Sequence, residues 1–345
     1  MMSGFFTLAL AGLSFAVALL GVGFLKRYLQ RYVLDIPNDR SSHCQPTPRG
    51  GGLGFVLAFG LTVTIAQFFP NALISPHPSL LWLALIPLAA IGALDDWQGV
   101  RASIRYAVQF IVSLCVVAQC GAFPLPGLSE WGTTGGVVAM LLSVVAMTVA
   151  INFYNFMDGL DGFVASVSAV QLGFLALWFD EPALWLLVAA LGGFLYWNWS
   201  PAKVFMGDVG STFLGAAIAI AFLSSHSEPV RTVSALAVTF PLMGDATYTL
   251  ICRFLRRENI FQAHRTHLYQ RLHQGGLSHA QVAGIYLGLT GLAAGSVYVW
   301  GLWGTAMSLG GAIAAIILGE WYLSRHSSFP ADFLSEVSGQ PPAGN

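Results

Sequence analysis

Five stretches of this 345-residue chain carry residue types that do chemistry: HCQPTPRGGG (43–52), DDWQGVRASIR (95–105), NFYNFMDGLDG (152–162), NWSPAKVFMGDVGS (198–211) and HRTHLYQRL (264–272). Among them stand five carboxylates: Asp95, Asp96, Asp158, Asp161 and Asp208. Asp208 sits in a frame of Gly207 and Gly210, and glycine permits tight turns and close ligand approach. Gathered on one face, five acids repel each other unless a cation lies among them. Hard oxygen ligands suit Mg2+ or Mn2+, and Mg2+ typically takes one or two carboxylates plus phosphate and water. That combination points to phosphoryl transfer, in which a metal and cationic side chains offset the repulsion between two anionic reactants.

Asn152, Asn155, Asp158 and Asp161 recur every three residues. On a helix they make a polar stripe, with Asp158 and Asp161 sharing a face. An interhelical hydrogen-bond seam has the same pattern. His264 and His267 lie among Arg253, Arg256, Arg257, Arg265 and Arg271. The histidines can donate hydrogen bonds to phosphate oxygens, whereas the arginines alone would also serve as an anchor to anionic lipid. No cysteine or third histidine is placed to make this pair a zinc site. His43, Thr47, Arg49 and the glycines 50–52 form a second candidate anion contact, a phosphate cradle before a helix start. Asp245 lies four residues after Pro241 inside an apolar stretch, where it either caps a proline defect or reaches the site. Cysteines 44, 115, 120 and 252 form no CxxC pair and read as small buried residues.

These residues need elements to hold them, and composition says which. Hydrophobic residues make up 56% of the chain and charged residues 9%, against about 25% charged in a soluble domain. Mean hydropathy is +0.69. A net charge of −1 leaves no basic field for nucleic acid. The reading is an all-α polytopic membrane protein. Apolar stretches fall at 4–25, 51–69, 79–94, 104–120, 135–154, 163–179, 182–198, 211–224, 230–252, 279–301 and 303–323. They predict a bundle of ten or eleven transmembrane helices, the shortest below the usual length of about 17–25 residues. Residues 1–325 form one multi-span catalytic domain, and 326–345 a disordered tail.

With the amino terminus outside, the inside loops and adjoining helix ends hold every Lys and Arg except Arg231, fourteen of fifteen. Basic residues collect on the cytoplasmic side. All five polar clusters lie on that same side. The sequence therefore predicts a cytoplasm-facing site at the membrane surface, using a soluble phosphorylated molecule and a lipid.

In order and content, the five clusters resemble those of the polyprenyl-phosphate N-acetylhexosamine-1-phosphate transferases, over about residues 35–275. The resemblance implies ten or eleven helices, a bacterial inner-membrane location and a cytoplasmic active site. It implies transfer from a UDP-N-acetylhexosamine to undecaprenyl phosphate, giving the lipid diphosphate sugar and UMP, with Mg2+ or Mn2+. A homodimer is compatible with it. By motif, Asp208 resembles the metal ligand, with Asp161 as a second. Asp95, beside Asp96, resembles the residue that deprotonates or orients the lipid phosphate. Asn152, Asn155, Asp158 and Asp161 resemble nucleotide-sugar and metal-site residues, and Asn198 a nucleotide contact. His264, Arg265 and His267 resemble the diphosphate-binding histidine motif. Arg105 resembles a basic residue near the lipid phosphate, and Arg49 a substrate contact in the PTPRGGG motif. The HRTH sequence departs from the three adjacent histidines of the peptidoglycan-initiating branch. It implies instead the O-antigen branch, with UDP-GlcNAc or UDP-linked FucNAc or QuiNAc.

A secondary transporter for an anionic solute also uses intramembrane acids and broken helices, but near the midplane. Here the acids crowd one face. A non-catalytic scaffold would not require the acid pairs, the glycine-framed Asp and two histidines together.

Overall fold

The computed structural model describes residues 2–37, 45–69, 82–125, 127–225, 228–259, 262 and 264–326. Almost all of the regular structure there is helical. The helices are α1 (Met2–Tyr32), α2 (Gly52–Gln67), α3 (Leu85–Gln98), α4 (Ala102–Cys120), α5 (Gly132–Met157), α6 (Phe163–Trp178) and α7 (Ala183–Asn198). They continue with α8 (Gly207–Leu223), α9 (Pro229–Ala235), α10 (Phe240–Leu255), α11 (Leu268–Gln274), α12 (His279–Trp300) and α13 (Leu302–His326). Two short strands, β1 (Leu34–Asp35) and β2 (Thr47–Pro48), pair antiparallel, Leu34 opposite Pro48.

Each of the eleven apolar stretches holds helix. Among the described residues six helical segments are long and apolar enough to cross a membrane: Gly4–Tyr32, Ala102–Cys120, Gly132–Met157, Pro229–Leu255, His279–Trp300 and Leu302–His326. The protein is an all-α, multi-pass membrane protein. The stretch at 230–252 is not one helix. It is α9, a 3-10 turn (Leu236–Thr239) and α10, with Pro241 in the first turn of α10. There a proline's missing N–H removes no helical bond.

Apolar α2, α6, α7 and α8 have only 16 or 17 residues, about 24–26 Å of helix against a hydrocarbon core of about 30 Å. The last three are also the most enclosed. Almost every residue of α8 is buried, as befits a helix that is apolar on all sides. It packs against α2, α3, α4, α5 and α6, while α7 packs on α1 and α6, and α12 on α6 and α13. Several buried polar groups between these helices are paired, since an unsatisfied group at that depth has no water to replace a lost partner; Ser168 Oγ on α6 and Thr290 Oγ1 on α12 are exceptions. Ser14 Oγ donates to Leu186 O at 2.8 Å. Tyr154 donates to Gln171 Oε1 at 2.7 Å, and Gln171 to Val238 O at 3.0 Å.

Two expectations need revision. Cys115 is exposed rather than buried, on the outward face of α4, while Cys252 is buried. Asp158 and Asp161 do not share a helix face, because α5 ends at Met157. The predicted tail, apart from His326 at the end of α13, lies outside the described residues, as do His43 and Cys44.

Candidate active site

The N-terminus of α8 is the structural centre of the site. Its first N–H groups have no partner within the helix. A side chain from another helix supplies one: Asp96, in the last turn of α3, accepts from the N–H groups of Asp208 at 2.9 Å and Val209 at 3.1 Å. The approach depends on Gly207. Its φ is +75°, and a Cβ there would stand 2.4 Å from an Asp96 carboxylate oxygen. Gly207→Ala is expected to destabilise the protein by about 2–4 kcal/mol through left-handed strain and overpacking. A thermal midpoint equal to wild type in the same detergent would contradict this.

The glycines 50–52 have a related use, which replaces the predicted phosphate cradle. Gly51 N–H donates to Phe205 O and Gly52 N–H to Met206 O, both at 2.9 Å. A Cβ on Gly52 would lie 2.6 Å from Gly210 Cα. The run lets α2 meet α8 backbone to backbone, and two of its amides are already committed.

Around this junction two arginines interleave with three aspartates. Arg49 Nε lies 2.8 Å from Asp96 Oδ1, and its Nη2 lies 2.5 Å from Asp208 Oδ1. Arg105 Nη1 lies 2.6 Å from Asp95 Oδ2 and 2.7 Å from Asp208 Oδ2. Asp95 Oδ1 also accepts from Val100 N–H at 2.6 Å. Four elements, the strand end at Arg49, α3, α4 and α8, thus meet at Asp208. Asn155 on α5 adds a weaker contact, Nδ2 to Asp208 Oδ2 at 3.4 Å, and its Oδ1 accepts from Ser211 at 2.8 Å. Asn152, one turn earlier, instead donates to Gln109 Oε1 on α4 at 2.7 Å.

Past Met157 the chain turns, and Asp158 and Asp161 occupy that turn. Among the described residues no hydrogen bond or ion pair reaches the Asp158 side chain. Its carboxyl is pushed up to about 8, first by its desolvated position and then by the charges of Asp208, Asp96 and Asp161, with Arg49 opposing. Asp161 is the opposite case. Burial alone would raise it, but hydrogen bonds from His279 and from Ala202 N–H, with the field of His279, hold it below the usual range. The distances are 3.2 Å to His279 Nδ1 and 3.0 Å to Ala202 N.

Asn198 has both ends of its amide engaged by backbone. It accepts from Gly162 N–H at 3.1 Å and donates to Val204 O at 3.0 Å. In this structure it braces the 158–162 turn against residues 199–206. Sequence motif points to a ligand contact; geometry makes it a strut.

The histidine stretch reaches the same region from the other side. His267 is 2% exposed and lies 3.8 Å from Asp245 Oδ1; the His264 ring packs on it at 4.8 Å between centroids. Asp245 resolves the two readings of its sequence position. It accepts from the N–H groups of Leu268 and Tyr269 and from the Tyr286 hydroxyl, at 2.7–2.9 Å. It therefore ties the start of α11 to α10 and α12. Tyr269 carries the connection onward: its hydroxyl donates to Phe156 O at 3.1 Å and stands where a Cβ on Gly159 would collide. Arg265 is near enough to His273 for its charge to act on that ring. Arg253 and an Arg271–Glu320 pair, 2.5 Å at its shorter contact, brace the neighbouring turns. No contact in the structure joins His264 or His267 directly to Asp208.

Sequence reasoning missed Ser211, His273 and His279. Gln109 was legible as a polar residue one turn beyond Arg105 on α4. His279 follows Ser278, which forms a capping box with Gln281, so a helix start beside the polar loops was detectable. His273 had no signal beyond its side of the membrane.

The profile described as "Glycosyl transferase family 4" matches residues 79–226. The decaprenyl-phosphate N-acetylglucosaminephosphotransferase of Mycolicibacterium smegmatis is 30% identical over 353 residues, covering 90% of this chain and 87% of its own. The probable undecaprenyl-phosphate N-acetylglucosaminyl 1-phosphate transferase of Bacillus subtilis is 29% identical, covering 79% and 80%. The undecaprenyl-phosphate alpha-N-acetylglucosaminyl 1-phosphate transferase of Escherichia coli K12 is 29% identical, covering 72% and 71%. The chain belongs to the polyprenyl-phosphate N-acetylhexosamine-1-phosphate transferase family, and it is an enzyme of that glycosyl-1-phosphate transferase class.

Proposed function

We propose that the protein transfers N-acetylhexosamine-1-phosphate from a UDP-sugar to undecaprenyl phosphate, releasing UMP. The donor sugar is GlcNAc or a deoxy-hexosamine such as FucNAc or QuiNAc, and the step opens synthesis of O-antigen or a similar envelope polysaccharide. The site faces the cytoplasm across a bacterial inner membrane, with the amino terminus periplasmic, because fourteen of fifteen basic residues lie on the site's side. One observation carries the reading: Arg49 and Arg105 alternate with Asp95, Asp96 and Asp208 at the start of α8. Two guanidiniums at the membrane surface give lipid and nucleotide phosphates their counter-charge, and the acids keep those guanidiniums in place.

Residues for a divalent cation fit. Mg2+ takes few carboxylates, together with phosphate and water. Asp158, without a partner and pressed by three like charges, is a group that a cation would neutralise. Asp158 would hold Mg2+ or Mn2+, joined by Asp208 once bound phosphates draw Arg49 and Arg105 away from its two oxygens; the cation would supply charge neutralisation at the diphosphate. Asp161, engaged by His279 and Ala202, takes a supporting place instead.

The chemistry is a single displacement. A lipid phosphate oxygen attacks the β-phosphorus, the bond from that phosphorus to the bridging oxygen breaks, and UMP leaves with that oxygen. Both Asp95 oxygens are engaged, by Arg105 and Val100 N–H, so Asp95 orients Arg105 toward the lipid phosphate rather than serving as a free base. A covalent phosphosugar on an aspartate would let UMP exchange into the donor without lipid; absence of that exchange in an active preparation supports direct displacement.

The deciding assay uses membranes containing the protein, undecaprenyl phosphate, Mg2+ and a panel of UDP-sugars. UMP release that requires both substrates, together with a lipid-linked product, is expected for one hexosamine. No release from any UDP-N-acetylhexosamine, beside an active reference transferase, would overturn the reading.

A further inference from the structure

His273 and His279 stand outside the histidine stretch at 264–267 and have no part in the proposed chemistry, yet they meet the acid loop. His279 opens α12 and His273 lies near the end of α11. Their rings face each other edge to face, centroids 4.4 Å apart, with the two Nε2 atoms at 3.2 Å. His279 Nδ1 lies 3.2 Å from Asp161 Oδ2 and 3.4 Å from Asp161 N.

The hydrogen bonds have a required direction. His273 Nδ1 lies 2.8 Å from Leu277 O, and a carbonyl only accepts, so that nitrogen carries a proton. Burial holds His273 below the ordinary histidine range, which leaves its Nε2 bare as an acceptor. His279 Nε2–H fills it. The His279 ring is then fixed in plane, with Nδ1 aimed at Asp161. From there it can donate to the carboxylate or accept from the amide, and either contact pins the same residue.

We propose that His279, oriented by His273, is a positioning residue that fixes Asp161 and thereby holds the 158–162 turn carrying Asp158 in the site. The assignment rests on the transferase reading for its effect on activity, but not for its structural content. The physical reason is the shortness of the turn. It runs from the end of α5 to the start of α6, and among the described residues Asp161 is anchored by Ala202 N–H and Ser200 on one side and His279 on the other. Without the imidazole, Asp161 loses its link to the α11–α12 corner. An outer partner that orients a site carboxylate typically changes activity ten- to a hundredfold when removed.

Asparagine and glutamine separate positioning from bulk. Asparagine places a polar group where Nδ1 stands, and glutamine places one where Nε2 stands. The full-length protein in nanodiscs, as wild type, H279N, H279Q and H279A, is compared by amide hydrogen exchange and by kcat/KM with the UDP-sugar. H279Q and H279A are expected to speed exchange across 158–162 about tenfold and to lower kcat/KM about ten- to fiftyfold. H279N is expected to stay within about threefold of wild type in both. Unchanged exchange in H279Q and H279A, or equal loss in all three variants, would overturn the proposal and leave His279 a packing residue. If wild type transfers no sugar phosphate, the proposed reaction fails by itself, while the exchange comparison still decides whether His279 holds the turn.

Discussion

Asp208→Asn is expected to reduce turnover by about a thousandfold while leaving the protein folded. Among the described residues Asp208 is the one carboxylate that touches both arginines, Arg49 through Oδ1 and Arg105 through Oδ2. An asparagine keeps the shape but removes the negative charge, and its amide group must face at least one guanidinium, donor against donor. Arg49 and Arg105 then draw toward Asp96 and Asp95, away from the position where two phosphates meet. Folding survives because the α8 N-terminus is capped by Asp96, not by Asp208. UMP release and the thermal midpoint, measured on one purified preparation, give the comparison. Turnover within tenfold of wild type would remove Asp208 from the chemistry. Loss of the folded protein together with activity would make it a structural residue.

How far the sequence revealed this site depended on what each residue touches. The placement of the apolar helices was legible, because a span is a local property of about twenty consecutive residues. So was the shared side of the polar clusters, since loop charge is also local. The role of Arg105 was the least supported at that stage, yet it bridges Asp95 and Asp208. A bridge across 103 positions of chain leaves no trace in spacing. The three-residue series 152, 155, 158, 161 misled for the opposite reason. It looks periodic, but α5 stops before its third member, where Asp158-Gly159 begins a turn that Tyr269 covers from α11. Asn198 and the glycines 50–52 have the composition of ligand contacts, and only the positions of Gly162, Val204, Phe205 and Met206 reveal that they serve backbone.

Asp158→Asn is expected to stabilise the metal-free protein and abolish its activity, with a pH dependence that identifies the cause. A solvated aspartate ionises near pH 4, whereas the folded Asp158 carboxyl is pushed up to about 8. Between those values the folded protein retains a proton that the unfolded chain has released. Raising the pH through that window favours the unfolded chain, so the wild type loses stability from about pH 4 to pH 8. An asparagine has no such proton. The variant's midpoint is therefore expected to exceed that of wild type by only a little at pH 5 and by roughly 2–4 °C at pH 8. Added Mg2+ is expected to close the gap by raising wild type, because a cation favours the ionised carboxyl and binds only the folded site. Transfer activity is expected to fall at least a hundredfold, since the cation loses one of its few carboxylates. Thermal unfolding at pH 5 and pH 8, with and without Mg2+, reads all of this. A gap equal at both pH values would dismiss the proton as its source, and an equal response of both proteins to Mg2+ would place the cation elsewhere.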